Sequence, residues 1–305
     1  MSSVPPRTVG SRTRLVAVYG QPIHHSASPA MQNAGIESLG LDWRYLACEV
    51  APADLAAAIA GAKAMHFIGL NLTVPHKLLA VDLVDALDPS ASAWGAVNTI
   101  VFEARDADGE WRPLGQLPEA SGPVRSKGYN TDADAIVRSL TEDLAIEPRG
   151  ARVLLLGAGG AARAAALRLA DEGVSELWLV NRTESKAAEL AAEITERFPA
   201  VHAEAGYPGS SVEILLNATS AGLKPTDPLP LDVARFPLRG CDVVYDMIYR
   251  PHQTPLLAAA QAAGCRTANG LGMLLHQGAT ALELWSGCVA PRDVMRAALE
   301  REIYG

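Results

Sequence analysis

The hydrophobic positions along this chain change period repeatedly. Apolar runs of strand length at 14–19, 41–50, 66–73 and 94–102 alternate with stretches whose apolar residues recur at helical spacing, at 53–64, 78–87 and 133–144. Beyond Pro148-Arg-Gly150, which reads as a short linker, the alternation resumes. Strands are expected at 153–156, 176–180, 200–203, 212–216 and 265–268, a strand and turn at 241–249, and helices at 184–197 and 251–263. Two more helices are expected at 273–285 and 291–303. Strand–helix alternation on both sides of Pro148 predicts an α/β protein of two domains with mostly parallel sheets. Where the last two helices pack does not follow from chain order. Residues 103–126 are rich in charge, Pro and Gly and read as an extended surface hairpin or excursion, with a short strand at Trp111.

The most informative stretch is Val153-Leu-Leu-Leu-Gly157-Ala158-Gly159-Gly160-Ala161-Ala162. A strand stops at a glycine turn and continues as an alanine-rich helix. Gly157 permits a tight turn, Gly159 leaves room for a pyrophosphate against the backbone, and Ala162 lets helix and strand pack closely. The helix N-terminus then offers free N–H groups and a positive dipole end to phosphate. A buried strand with incidental glycines would show the same pattern, so the next strand decides. NAD-binding units carry an acidic residue about 20 residues past the glycines. Here that place holds Asn181-Arg182-Thr183, with Lys186 one turn further on. A carboxylate would repel the 2′-phosphate of NADP, whereas a guanidinium pairs with it. The expectation is an NADP-binding βαβ unit.

Other strands also end in polar residues. Ser26 and Ser28 follow the first strand; Ser28 before Pro29 suits a helix cap, and both hydroxyls would also suit a polyhydroxylated ligand. His24 and His25 have no partner pattern that makes them metal ligands or bases. Lys77 follows the third strand, beside a helix start, where the dipole disfavours a cation. An anionic ligand would relieve the conflict; a solvated surface lysine is the alternative. Asp132 stands before the 133–144 helix and can serve as its cap. Asn217-Ala-Thr219-Ser220 ends the strand at 212–216, at the edge where a cofactor crevice is expected.

Composition narrows the class. The chain has 305 residues, 49% apolar and 20% charged, which is ordinary for a globular protein. A net charge of −8 argues against a nucleic-acid or anionic-membrane surface. The four cysteines (Cys48, Cys241, Cys265, Cys288) show no metal spacing, so no metal is expected; Cys48 and Cys241 read as buried small hydrophobes. No apolar stretch has membrane-spanning length. Residues 1–13 hold no hydrophobic signal region, and a frayed tail or the remnant of a transit peptide would fit them. The cytoplasm is the expected compartment.

Taken together the motifs resemble the shikimate/quinate dehydrogenase family from about residue 15 onward. They occur in the family's order: Ser26-Ala-Ser28-Pro29, Asn71-Leu-Thr73-Val-Pro75-His-Lys77, Gly95-Ala-Val-Asn98-Thr99, Gly128-Tyr-Asn130-Thr131-Asp132 and Gly157-Ala-Gly-Gly-Ala161. Asn181-Arg-Thr183, Asn217-Ala-Thr-Ser220, Asp246-Met-Ile-Tyr249 and Asn269-Gly-Leu-Gly-Met-Leu-Leu-His-Gln277 follow. The resemblance implies NADP-dependent reduction of 3-dehydroshikimate to shikimate, in chorismate and aromatic amino-acid biosynthesis. It implies a substrate domain of residues 1–131 and 270–305, to which the last helices return, and a Rossmann-type NADP domain of residues 132–269. It implies that Ser26 and Ser28 bind the substrate carboxylate with Tyr249, and that Thr73, Lys77, Asn98, Asp132 and Gln277 hold the ring hydroxyls. Lys77 and Asp132 would form the catalytic pair. Gly157, Ala158, Gly159, Gly160, Ala161, Asn181, Arg182, Thr183, Lys186, Thr219, Met247 and Gly270 would surround NADP. A monomer or homodimer acting on a small molecule is the implied assembly.

Two departures stand out. Gln32 occupies a place where the family commonly has His, although Gln still donates a hydrogen bond. The 102–127 connection is longer than usual. The serine pair is the shikimate-type pattern: quinate-preferring relatives often have Thr at the second position and an acidic residue after the second dinucleotide strand. A quinate or aminoshikimate enzyme is the alternative within the fold; a regulator that binds both ligands without turnover is the alternative outside catalysis.

Overall fold

The computed structural model describes residues 9–118, 122–224 and 226–305. The described residues of 9–131 and 275–305 form one compact unit, and those of 132–274 form a second.

The first unit is a seven-stranded sheet with helices. In chain order it holds β1 (Arg14–Gly20), α1 (Ser28–Ser38), β2 (Trp43–Glu49), α2 (Leu55–Ala64), β3 (Gly69–Leu72) and α3 (His76–Leu79). Then come β4 (Ala86–Leu87), α4 (Pro89–Trp94), β5 (Thr99–Arg105), β6 (Trp111–Pro113) and β7 (Val124–Tyr129). The strand order is β2-β1-β3-β5-β7-β4, with β6 paired to β5. Six of the seven strands run in one direction; β5 opposes them, so its three ladders, with β3, β6 and β7, are antiparallel and the other three are parallel.

The expected helix over 78–87 is replaced by the single turn α3, a 3-10 turn and β4. Long-range bonds override the helical spacing there. Asp85 Oδ2 accepts from Ser126 N at 2.7 Å and Oγ at 2.8 Å, and β4 pairs with β7. Asp88 Oδ1 accepts from Ser90 N at 3.1 Å with Pro89 in the first turn, a cap that starts α4. Trp94 therefore ends a helix, Gly95 turns the chain at φ +63°, and the strand expected from 94 begins at Thr99. The short strand at Trp111 is present and forms a hairpin with β5.

The second unit holds α5 (Asp132–Leu144), β8 (Arg152–Leu156), α6 (Gly160–Glu172), β9 (Glu176–Val180), α7 (Glu184–Arg197), β10 (His202–Ala205) and β11 (Val212–Asn217). β12 (Cys241–Asp246), α8 (Pro255–Ala262) and β13 (Arg266–Asn269) complete it. Its six strands are all parallel, in the order β10-β9-β8-β11-β12-β13. This is the doubly wound dinucleotide-binding order, with its switch point between β8 and β11. Val153, Leu154, Leu155 and Leu156 of β8 are all buried, as expected of a strand covered on both faces.

The unit boundary falls within α9 (Leu271–Ser286), which is followed by α10 (Arg292–Tyr304). In the first unit α9 lies directly on the sheet. Trp285 is fully buried and its Nε1 donates to the Ile100 carbonyl at 3.0 Å. Gly69 makes that approach possible, because a Cβ there would lie 2.0 Å from Trp285 Nε1. Gln32 of α1 donates through Nε2 to the Gly278 carbonyl at 2.8 Å. The chain segments that chain order left unplaced thus belong to the first sheet.

Cys241 is buried, and burial with neighbouring Cys265 pushes its thiol up to about 12, as for an inert core cysteine. Cys48 is only half-buried, against expectation, because β2 is an edge strand. Among the described residues no helix is long and apolar enough to cross a membrane.

Candidate active site

In the second unit every expected cofactor residue lies at the carboxyl edge of the parallel sheet. Gly157–Ala161 follow β8, Asn181–Lys186 follow β9, Thr219 follows β11, Met247 follows β12 and Gly270 follows β13. Gly157 has φ +117°, and a Cβ on it would approach the Ala218 carbonyl oxygen to 3.1 Å. The turn therefore lies against the loop after β11. Gly159 and Gly160 differ: a Cβ on either would meet no protein atom within 4 Å. Packing does not demand glycine there; a phosphate group lying on the backbone would. Gly159 caps α6, no side chain caps it, and its first turn carries no acidic residue. The residues present fit a dinucleotide pyrophosphate.

Asn181 Nδ2 donates to the Thr183 carbonyl at 2.8 Å and closes the turn after β9. Arg182 is exposed, with no ion pair among the described residues. It lines a cavity of about 840 Å³ with Asn181, Ser185, Tyr207 and Arg235. Thr183 and Lys186 are exposed beside it but are not in its wall. Ser185 and Arg235 were not singled out from sequence. Ser185 follows the Asn-Arg-Thr turn and could have been found; Arg235 comes from a segment with no motif. Its guanidinium lies 4.7 Å from the centre of the Tyr207 ring.

On the other half of this edge, Asn217 Oδ1 accepts from Thr219 N at 3.1 Å and Thr219 Oγ1 at 2.8 Å. Gly270 is required where it stands, since a Cβ would lie 2.0 Å from the Met247 carbonyl oxygen. Tyr249 is half-buried two residues beyond Met247, and burial raises its phenol pKa, against an opposing effect of Arg250.

In the first unit the expected substrate residues other than Gln277 also share one sheet edge. β1 and β3 are parallel and end there, and antiparallel β5 begins there. Ser26 and Ser28 follow β1, Thr73 and Lys77 follow β3, and Asn98 precedes β5. Ser28 does not cap α1: the helix begins at Ser28 with Ala27 in the cap position, and Ser26 Oγ instead accepts from Ser28 N at 3.3 Å. Ser28 is buried beside the Tyr45 hydroxyl. Thr73 packs on Gly20, where a Cβ would lie 2.4 Å from its methyl carbon.

Lys77 is half-buried, and its carbonyl accepts from Val97 N at 2.8 Å, which ties its turn to the start of β5. α3 is only four residues long, so the dipole conflict argued from sequence is smaller than a full helix would produce. Asn98 is buried; its Nδ2 donates to Thr131 Oγ1 at 3.0 Å and its Oδ1 accepts from Thr131 N at 2.8 Å. It therefore fixes the residue before Asp132, which opens α5 and is half-buried. Gln277 stands on α9. His24 is exposed and forms a surface pair with Glu49 at 2.9 Å, consistent with no chemical role.

Known proteins resemble this chain over nearly its whole length. Residues 18–100 match the model of the shikimate dehydrogenase substrate binding domain, 139–222 that of shikimate/quinate 5-dehydrogenase, and 270–300 that of the shikimate 5′-dehydrogenase C-terminal domain. The shikimate dehydrogenase (NADP(+)) of Moorella thermoacetica is 43% identical over 97% of this chain and 96% of its own. This chain belongs to the shikimate dehydrogenase family. The family's Geobacter metallireducens enzyme of the same name is 39% identical over 96% of this chain and 99% of its own. A solved shikimate dehydrogenase in complex with NADP+ superimposes with a TM-score of 0.83 at 32% identity, over 97% of this chain and 98% of that one. The 5-ketofructose reductase of Gluconobacter sp. strain CHM43 gives 0.79 at 36% identity, over 96% and 99%. The family's fold thus also serves another carbonyl substrate.

Proposed function

We propose that this chain is an NADP-dependent shikimate dehydrogenase, interconverting 3-dehydroshikimate and shikimate in aromatic amino-acid biosynthesis. The observation that carries this reading is the pairing of two sheet edges on one chain. One bears a glycine turn followed by Asn181-Arg182, and the other bears the Ser26/Ser28, Thr73/Lys77 and Asn98 set. Residues 132–269 would supply the cofactor unit, and 1–131 with 270–305 the substrate unit. A cytoplasmic enzyme, as monomer or homodimer, fits the proposal.

When bound, NADPH supplies the hydride that reduces the ketone. The chain's own residues do the rest. In this reading Ser26, Ser28 and Tyr249 hold the substrate carboxylate, and Thr73, Asn98 and Gln277 orient the ring hydroxyls. Lys77 Nζ stands beside the carbonyl oxygen, stabilises the negative charge that develops there and delivers the proton; in oxidation it accepts it. Asp132 orients the ammonium and accepts a hydrogen bond from the hydroxyl. Arg182 pairs with the 2′-phosphate, with Arg235 and Ser185 in the same cavity wall.

The test is a panel of steady-state rates: shikimate and quinate oxidation with NADP+ and NAD+, and 5-ketofructose reduction with NADPH. The proposal requires shikimate with NADP+ to give the highest kcat/KM. A higher value for quinate, for NAD+ or for 5-ketofructose would replace it.

A further inference from the structure

Asp246 closes β12, is fully buried, and has no part in the chemistry above. An ionisable carboxyl in such a place costs free energy unless donors satisfy it. Three donors converge on it. Asn217 Nδ2 and Ile248 N each reach Oδ1 at 3.0 Å, and Thr254 Oγ1 reaches Oδ2 at 2.7 Å. Burial still raises its pKa above the ordinary carboxyl value, with the bonds from Thr254, Ile248 and Asn217 opposing.

Two of these donors have a second bond that runs toward the cofactor edge. Asn217, the last residue of β11, holds Thr219 through its Oδ1. Ile248 follows Met247, and its carbonyl accepts from Gly270 N at 3.2 Å. Met247 N in turn donates to the Asn217 carbonyl at 2.9 Å. One carboxyl oxygen therefore joins the turns after three adjacent strands, β11, β12 and β13. Those turns carry Thr219, Met247 and Gly270, and they belong to the second mononucleotide half of the doubly wound sheet, the half that receives nicotinamide. The third donor, Thr254, leads to α8, where its Oγ1 accepts from Leu257 N at 3.3 Å.

We propose that Asp246 is a positioning residue for the cofactor: acting through Asn217 and the Ile248 backbone, it holds Thr219, Met247 and Gly270 in one preformed wall. The proposal rests on the NADP reading. It ascribes the effect to the acceptor geometry of Oδ1 and not to charge. Asn at this position can keep that acceptor and turn its Nδ2 to Thr254, whereas Ala removes all three bonds.

The experiment measures KM for NADP+ and for shikimate, with direct titration of NADP+ by tryptophan fluorescence, in five proteins: wild type, Asp246→Ala, Asp246→Asn, Asn217→Ala and Val243→Ala. Val243 is buried on the same strand, three residues before Asp246 and paired with Ile214 and Arg266 inside the sheet, so its truncation reports lost stability. Asp246→Ala and Asn217→Ala are expected to raise the NADP+ KM and Kd at least about tenfold, as misplacement of binding groups does, with shikimate KM changed less than about twofold. Asp246→Asn returns the cofactor values to near wild type, and Val243→Ala lowers Tm while leaving both KM values unchanged. If Asp246→Ala does not fold, Asn217→Ala carries the test. Unchanged cofactor affinity in the alanine variants, equal rises in both KM values, or the same rise in Val243→Ala would each overturn the proposal. A wild-type chain that binds no NADP+ would overturn the cofactor reading instead.

Discussion

Arg182 is the residue on which cofactor choice turns. Its guanidinium is exposed, unpaired among the described residues, and part of a cavity wall beside the β9 turn. A charge-assisted pair with a phosphate is worth about 1.5–3 kcal/mol, so Arg182→Ala should raise the NADP+ KM roughly tenfold to a hundredfold. The NAD+ KM should stay level, because NAD+ has no 2′-phosphate; equal rises for both cofactors would refute the assignment. Asp246 gives a prediction of a different kind. Folding favours its protonated form, since burial raises its pKa above 3.8. Its contribution to stability is therefore complete below the unfolded carboxyl value and lost as pH rises through the folded one. Asp246→Asn stays neutral, so its Tm should gain on wild type as pH climbs from about 4 to about 7. A Tm difference constant across that range would mean that the carboxyl is not raised. Lys77 could be singled out in the sequence because a cation beside a helix start is electrostatically odd. The role of Asp246 could not, because it depends on which residues β11 and β12 place side by side.

At the scale of elements, legibility followed burial. β8, β9 and β11 are largely apolar and were read to within a residue of where they stand, and β12 was read together with the turn after it; α7 was read with its observed bounds. β7 was not, since Val124-Arg-Ser-Lys-Gly-Tyr129 has neither an apolar run nor clean alternation. Its place in the sheet comes from the ladders it makes with β5 and β4. The 78–87 segment failed for the opposite reason: its apolar residues fit a helix, but Asp85 and β4 are claimed by Ser126 and β7. The contact of α9 with the sheet depends on Gly69, a residue whose need becomes visible only with Trp285 in place. Gly69→Ala would put a methyl 2.5 Å from the Ile100 carbonyl and closer still to the indole. The expected loss is about 1–3 kcal/mol or more, read as a lower urea midpoint at unchanged m. An unaltered midpoint would show that α9 does not press on β3 as described.

For the whole molecule, the two α/β units and the class of the cofactor were legible from strand–helix alternation and from one glycine turn read with the strand that follows it. The return of 275–305 to the first unit was implied by the resemblance but not by the residue pattern, because it rests on side chains meeting across the chain: Gln32 with Gly278, and Trp285 with Ile100. Gln32 uses its Nε2 in that bond, while its Oε1 is buried without a hydrogen-bond partner among the described residues. What the account asks of the whole chain is that bound NADP and bound substrate react through one proton carrier. The most direct measurement is kcat for shikimate oxidation with NADP+ in Lys77→Ala beside wild type, both saturated with each ligand. Positioned acid–base catalysis is commonly worth about 10²–10⁴-fold, so kcat should fall by at least about a hundredfold with KM changed far less. A variant that keeps its kcat and shows only a raised KM would make Lys77 a binding residue and contradict the mechanism.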